Sequence, residues 1–96
     1  MKHNNKYSLP YVKELIENAS VLFENGKKLV MELDCTNRLT NESAGGSSFL
    51  LQLSAKEKAE LQEKKADSFH ISMLTKKGQL RISDAIPIAV LMKGGA

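Results

Sequence analysis

The chain has 96 residues, of which 42% are hydrophobic and 26% charged, and this composition is typical of one small folded domain rather than of a disordered chain. The longest apolar run, Ala85 to Met92, contains a proline and is too short to cross a bilayer, so we expect no membrane partner. No apolar run follows Met1 to Tyr7, and Cys35 is the single cysteine, so we expect no secretory signal and no internal disulfide, which indicates a cytoplasmic protein. The net charge is +3, and the whole excess lies in residues 49–96, with eight basic and five acidic side chains.

The first predicted element is an amphipathic helix over residues 9–25. Ser8 suits its N-cap, Pro10 suits its first turn, and Asn25-Gly26 suits a left-handed stop. Between these signals, apolar residues recur at spacings of three and four, which is typical of a broad stripe facing a core. The residues of this stripe are Leu9, Val12, Leu15, Ile16, Ala19, Leu22 and Phe23.

Two strands and a long loop are predicted next. Residues 28–36 alternate between the two faces of a strand. The residues expected on one face are Leu29, Met31, Leu33 and Cys35. Segment 37–48 is rich in turn-forming residues and is predicted to be a long, mobile hairpin loop, whereas 48–53 is predicted to be the second strand.

A second helix is predicted over residues 54–66. Ser54 followed by Glu57 is the pattern of a capping box, and good helix formers fill the remaining positions. Small residues form a narrow stripe along this helix, which we expect to lie against the sheet. The stripe consists of Ala55, Ala59 and Ala66. A different flank of the helix holds Lys58, Leu61 and Lys65.

Residues 68–84 are predicted to form a hairpin that turns at Thr75 to Gly78. Pairing Met73 with Leu80 or with Ile82 keeps all the large apolar side chains of the hairpin on one side, whereas pairing Met73 with Arg81 splits them. We therefore predict the first kind of register. The residues then expected to face away from the core are His70, Ser72, Arg81 and Ser83.

The last segment, 86–92, is consistent with a strand or with a short helix, and its end signals favour the helix. The predicted fold is a single α+β domain, 1–96, with an antiparallel sheet of about four strands and two main helices packed on it. Its order is α-β-β-α-β-β followed by the short C-terminal element, and residues 1–7 and 94–96 are expected to fray.

The sequence contains no recognisable set of catalytic residues. Cys35 is in phase with predicted core residues and has no base nearby in the chain, so we interpret it as a structural thiol. His70 is predicted on a solvated strand face, with no carboxylate placed to orient it. One cysteine and two distant histidines fall short of a metal site, and the Gly-rich segment 43–48 lacks the following helix that a phosphate loop needs. We therefore expect a non-catalytic protein without a cofactor.

The remaining hypothesis is a small interaction or regulatory protein that contacts an unknown partner protein or a second copy of itself. The candidate interaction surface combines the flank of the second helix with the hairpin tip. Its residues are Lys58, Leu61, Lys65, Lys76, Lys77 and Arg81. The alternative is a nucleic-acid-binding regulator that uses the same basic residues, against which count the glutamates on the helix and the lack of interleaved aromatic residues. Frequent Asn and Lys with no Trp indicate a bacterial or mobile-element origin.

Overall fold

A computed structural model describes residues 6–8, 11–43 and 45–92. Strands hold 52% of these residues and helices 19%. The strands are β1 (Lys6–Ser8), β2 (Ile16–Asn25), β3 (Lys28–Asp34), β4 (Leu39–Glu42), β5 (Gly46–Gln52), β6 (Ser68–Thr75), β7 (Leu80–Ile82) and β8 (Ile86–Pro87). The helices are a short 3₁₀ turn (Thr36–Arg38), α1 (Ala55–Glu63) and a single turn, α2 (Ala89–Met92). The predicted fold, with two main helices packed on a sheet, is therefore wrong: this is a small sheet-rich domain with one substantial helix.

The strands form two antiparallel sheets. The larger one has five strands in the order β3-β2-β6-β7, and β8 also pairs with β6. The smaller one has three strands in the order β1-β5-β4. Side chains from both sheets, α1 and α2 meet in a single hydrophobic core. The largest of its fully buried side chains are Phe23, Phe49 and Phe69.

The segment predicted as the first helix is β2, the strand that lies between β3 and β6 in the larger sheet. Ala19, Val21 and Phe23 are fully buried in alternation, so the residues follow a period of two from Ala19 onward. Asn25-Gly26 begins a two-residue hairpin turn rather than ending a helix, since Gly26 and Lys27 both have positive φ angles, 56° and 73°. The prediction of Ser8 as a helix N-cap is wrong, because Ser8 belongs to β1, and the prediction for Pro10 lies outside the described residues.

Strand β3 is confirmed, but its predicted face is wrong in part. Cys35 is fully buried as predicted, whereas Leu29 is 53% exposed. The cause is a β-bulge: Phe23 lies opposite Met31 and Glu24 lies opposite Leu29, so Val30 is an extra residue in β3. The bulge reverses the alternation and turns Leu29 away from the core.

The predicted long loop over 37–48 is also wrong. Strand β4 occupies part of it and pairs with β5, with Leu39 opposite Phe49 and Glu42 opposite Gly46. The predicted strand over 48–53 is confirmed as β5, which begins two residues earlier and directs Phe49 and Leu51 into the core.

Helix α1 is confirmed together with its capping box. The Glu57 amide donates to Ser54 Oγ at 3.1 Å, and the Ser54 amide donates to Glu57 Oε1 at 2.9 Å. The predicted packing face is wrong, because Ala55 and Ala59 are exposed and Leu61 is buried in the core. A leucine removes much more apolar area from water than an alanine, so the orientation that buries Leu61 is the stable one.

The hairpin of β6 and β7 is confirmed, but its predicted register is wrong. Met73 lies opposite Arg81, Leu74 opposite Leu80, and Ser72 opposite Ile82. The turn sets this register: Lys76 to Gly78 form a three-residue loop that ends in a glycine with φ of 87°. The Gly78 amide donates to the Thr75 carbonyl at 2.9 Å, and the Thr75 amide donates to the Gln79 carbonyl at 2.8 Å. Loop geometry therefore prevails over the grouping of the apolar side chains.

The C-terminal segment contains both predicted alternatives in succession. Ile86 and Pro87 pair with β6, and α2 then directs Leu91 into the core. Of the termini expected to fray, Lys6 and Tyr7 pair with β5, whereas residues 1–5 and 93–96 lie outside the described residues. Among the described helices, none has the length and apolar character needed to cross a membrane.

Candidate interaction surface

The five-stranded sheet has one face in the core and one face in contact with solvent. The core face carries alternate residues of β2 and β6, which include Phe23, Phe69 and Ile71. The intervening residues form the opposite side, which we call the outer face. Its apolar residues beside the β6–β7 hairpin are Leu22, Leu74, Leu80 and Ile82.

Leu80 and Ile82 keep most of their apolar surface in water, so burial on folding does not explain why they are apolar. Leu80 is 60% exposed and Ile82 is 55% exposed, while Leu22 and Leu74 are half-buried by their neighbours in the sheet. Among the described residues, no helix or second sheet buries Leu80 and Ile82. The sequence prediction missed both as surface residues, because the predicted register places them in the core. The signal that could have found them is the three-residue loop ending in Gly78, since its length specifies the observed register.

A histidine with two acceptors lies next to the apolar residues on the outer face. His70 Nδ1 is 2.9 Å from the Ser83 carbonyl, and His70 Nε2 is 3.3 Å from Glu24 Oε1. The bond to Ser83 and, to a smaller extent, the charge of Glu24 raise the pKa of His70 above its ordinary value, against the opposing effect of partial burial. His70 faces outward as predicted, but the prediction that no carboxylate accompanies it is wrong. The sequence does not predict the contact with Glu24, because the predicted first helix separates residue 24 from the strand of His70.

This arrangement is suited to holding strands together rather than to catalysis. The Ser83 hydroxyl accepts from the Ile71 amide at 2.8 Å and donates to the Asp84 carbonyl at 3.0 Å, so it is already engaged on both sides. His70 does not contact it as a base, since the ring bonds the Ser83 carbonyl instead. The cluster therefore connects β2, β6 and the segment after β7.

The tip of the β6–β7 hairpin is basic. Lys76 and Lys77 line a cleft of about 310 Å³ together with Lys13, a residue that the sequence prediction did not include. Arg81 lies next to this tip, with its Nη2 atom 3.4 Å from Glu14 Oε2 and 3.2 Å from Gln79 Oε1. The predicted residues Lys76, Lys77 and Arg81 are thus brought together, and Lys13 joins them.

The helix part of the predicted surface lies elsewhere. Lys65 lies between α1 and β6. This segment is near the β2–β3 turn, since the Asn25 side chain donates to the Lys64 carbonyl at 3.5 Å. Lys76 and Lys77 follow the end of β6, and an eight-residue strand is roughly 25 Å long. Leu61 is 1% exposed and offers no surface at all, and Lys58 is half-buried on α1. The six predicted residues therefore do not form one continuous surface.

Cys35 has the structural environment that the sequence predicts. It is fully buried, and burial raises the pKa of its thiol to about 11, although the nearby Arg38 guanidinium acts in the opposite direction. Arg38 Nη1 donates to Cys35 Sγ at 3.7 Å, and Arg38 Nη2 is 3.6 Å from Glu57 Oε2. A thiol with such a pKa stays protonated near neutral pH and is a poor nucleophile.

Within residues 6–8, 11–43 and 45–92, no group of three or more His, Cys, Asp or Glu side chains is placed to hold a metal ion. The distinguishing features of this part of the chain are therefore the outer face and the basic hairpin tip. No protein family, characterised protein or solved structure matches the chain.

Proposed function

We propose that the protein is a small non-catalytic interaction protein that binds another protein through the outer face. The observation that carries this proposal is the exposure of Leu80 and Ile82, at 60% and 55%, side by side on one edge strand. Single exposed apolar residues are common on protein surfaces, whereas adjacent ones beside a further apolar side chain, here the half-buried Leu74 opposite Leu80, mark binding sites more often. The compartment that we propose is the cytoplasm, which suits a single buried free cysteine.

The local sequence supports this proposal. Ser72 and Leu74 alternate with buried residues along β6, whereas every residue of β7 is exposed, so polar side chains at 80 and 82 would fit the same strand geometry. Large apolar side chains at these two positions gain little from folding, because most of their surface stays in water. A binding partner that covers them would supply the missing burial.

The test compares two double variants in quantitative affinity capture from the cell that makes the protein. Leu80→Thr/Ile82→Thr removes the apolar outer face, and Leu50→Thr/Val90→Thr is the matched control, since Leu50 and Val90 are each 38% exposed on other surfaces. We expect at least one protein to be recovered with the wild type and the control but at least about tenfold less with Leu80→Thr/Ile82→Thr. Recovery of the same proteins in the same amounts by all three would overturn the proposal.

Nucleic-acid binding is the second proposal, and the position of Lys13 favours it. Three lysines, Lys13, Lys76 and Lys77, surround one cleft, which is the kind of cluster that contacts phosphates. Glu14 lines the same cleft and weakens its positive field. If nucleic acid is the partner, fluorescence anisotropy at low salt will detect oligonucleotide binding that Lys76→Glu/Lys77→Glu abolishes. The absence of binding by the wild type at low salt would remove this alternative.

A further inference from the structure

We infer that β7 is an open sheet edge that accepts an extended segment of a partner protein with alternating apolar and acidic side chains. This inference rests on the proposed function, because it names the partner for the same surface. Strand β7 pairs with β6 on one side, and among the described residues no strand pairs with its other side. An edge of this kind can add a strand from another chain through main-chain hydrogen bonds.

The backbone of β7 presents its free groups at two positions. The Ser83 amide donates to the Ile71 carbonyl at 2.9 Å, and the Thr75 amide donates to the Gln79 carbonyl at 2.8 Å. In an antiparallel pair, residues whose backbone groups bond the partner strand alternate with residues whose backbone groups point to the other edge. Gln79, Arg81 and Ser83 therefore form the backbone bonds to β6. Leu80 and Ile82 therefore direct their N–H and C=O groups away from the sheet, where an added strand would pair with them.

The side chains of β7 specify what that strand carries. Residues opposite Leu80 and Ile82 would share the outer face with them and extend the apolar surface, so apolar side chains are favoured there. The residue between them would lie opposite Arg81, on the other face, where an acidic side chain would share the guanidinium with Glu14, whose Oε2 lies 3.4 Å from Arg81 Nη2. Lys76 and Lys77, exposed in the turn before β7, add positive charge at one end of the edge.

A second copy of this chain fits the edge poorly. Full antiparallel pairing of β7 with itself places Leu80 opposite Ile82 of the other copy, and therefore places Arg81 opposite Arg81. Like charges directly opposite each other destabilise a strand pair. The other edge of the sheet, β3, is no substitute, since it carries the bulge at Val30 and the exposed charges of Glu32 and Asp34. The charge at β7 thus favours an acidic partner strand over self-association.

The test uses two synthetic peptides, acetyl-Glu-Val-Glu-Val-Glu-amide and the matched acetyl-Lys-Val-Lys-Val-Lys-amide, titrated into ¹⁵N-labelled protein and followed by NMR. We expect the acidic peptide to shift the amide signals of Leu80 and Ile82, to slow their hydrogen exchange, and to bind more weakly as salt is raised. We expect the basic peptide to bind at least about tenfold more weakly. A peptide with N-methylated valines, which lacks the pairing N–H groups, is the control for main-chain bonding.

Charge variants identify the recognising residue. Arg81→Glu should reverse the preference between the two peptides, and Arg81→Gln, which places a neutral side chain beside Glu14, should reduce the preference to the part that Lys76 and Lys77 supply. Equal binding of both peptides to the wild type, or shifts that avoid Leu80 and Ile82, would overturn the inference. If neither peptide binds while Leu80→Thr/Ile82→Thr still loses captured proteins, the edge inference is wrong and the proposed function stands. If that double variant captures the same proteins as the wild type, the proposed function is wrong as well.

Discussion

The inner and outer faces of the five-stranded sheet carry the same classes of apolar side chain in different surroundings. On the inner face, Phe23, Phe69 and Ile71 have at most 1% of their surface exposed. On the outer face, Leu80 and Ile82 keep more than half of theirs in water, at 60% and 55%. Apolar character alone therefore does not identify the residues that stabilise the fold. The register of the hairpin determines which apolar side chains lie on each face. The inner residues account for folding, whereas the outer residues are available for binding.

Substituting two adjacent residues of β2 by alanine should give the largest difference in lost stability between the two faces. Phe23→Ala removes a buried ring whose centroid is 5.9 Å from that of Phe69, so we expect a loss of about 3–5 kcal/mol in the free energy of unfolding. Leu22→Ala removes the half-buried side chain next to it on the outer face, and we expect a loss of about 1 kcal/mol. Urea denaturation of the two variants measures both. Equal losses would mean that the two faces do not differ in the way described.

The origin of this contrast shows how far the sequence alone predicts the molecule. Helix α1 is predictable because its signals are local: the capping box of Ser54 and Glu57 involves residues three apart in the chain. Strand β2 is not, because the register shift between Ile16 and Asn18 buries two residues three apart, Ile16 and Ala19, and the half-buried Leu22 adds a spacing that also fits a helix. The Asn25-Gly26 pair is ambiguous in the same way, since it can end a helix or turn a hairpin.

The candidate site is predictable only in part, for a related reason. Lys76 and Lys77 are predictable because a hairpin tip is exposed in any register. The predicted outward position of Arg81 and Ser83 is wrong, because the observed pairing of Met73 with Arg81 places them on the opposite side of the hairpin, where Arg81 is nevertheless exposed. Leu80 and Ile82 were assigned to the core, since the assumption that apolar residues share one face selects the wrong pairing. Lys13 and Glu24 reach the site through pairings between distant parts of the chain, which the predicted first helix excluded.

Replacing His70 should change the free energy of unfolding by an intermediate amount that depends on pH. This change tests whether the outer face also has a structural role. The pKa of His70 is raised in the folded protein above its ordinary value of 6.5, so its stabilising effect is complete below pH 6.5 and is lost as pH rises through the folded pKa. The charges of Glu24 on β2 and Asp84 after β7 favour the protonated ring, and Glu32 on β3 lies on the same face across Leu22.

We therefore expect the wild type to lose stability relative to His70→Gln as the pH rises through the range above 6.5, because glutamine keeps one donor but does not titrate. Urea denaturation of both proteins across this range measures the difference, and His3 cancels because both proteins contain it. Parallel stability curves would contradict the raised pKa of His70, because they would show that the fold does not favour the protonated ring.

The smallest expected loss of stability tests most directly the central claim, that Leu80 and Ile82 lie outside the core. The measurement is the free energy of unfolding of Leu80→Thr/Ile82→Thr, compared with Ile71→Thr/Met73→Thr, which makes two matched changes on the inner face of the neighbouring strand. We expect the outer pair to cost no more than about 1 kcal/mol, because exposed side chains contribute little to folding. We expect the inner pair to cost about 4 kcal/mol or more, or to unfold the protein. A loss of about 3 kcal/mol or more from the outer pair would place Leu80 and Ile82 in the core and contradict the account.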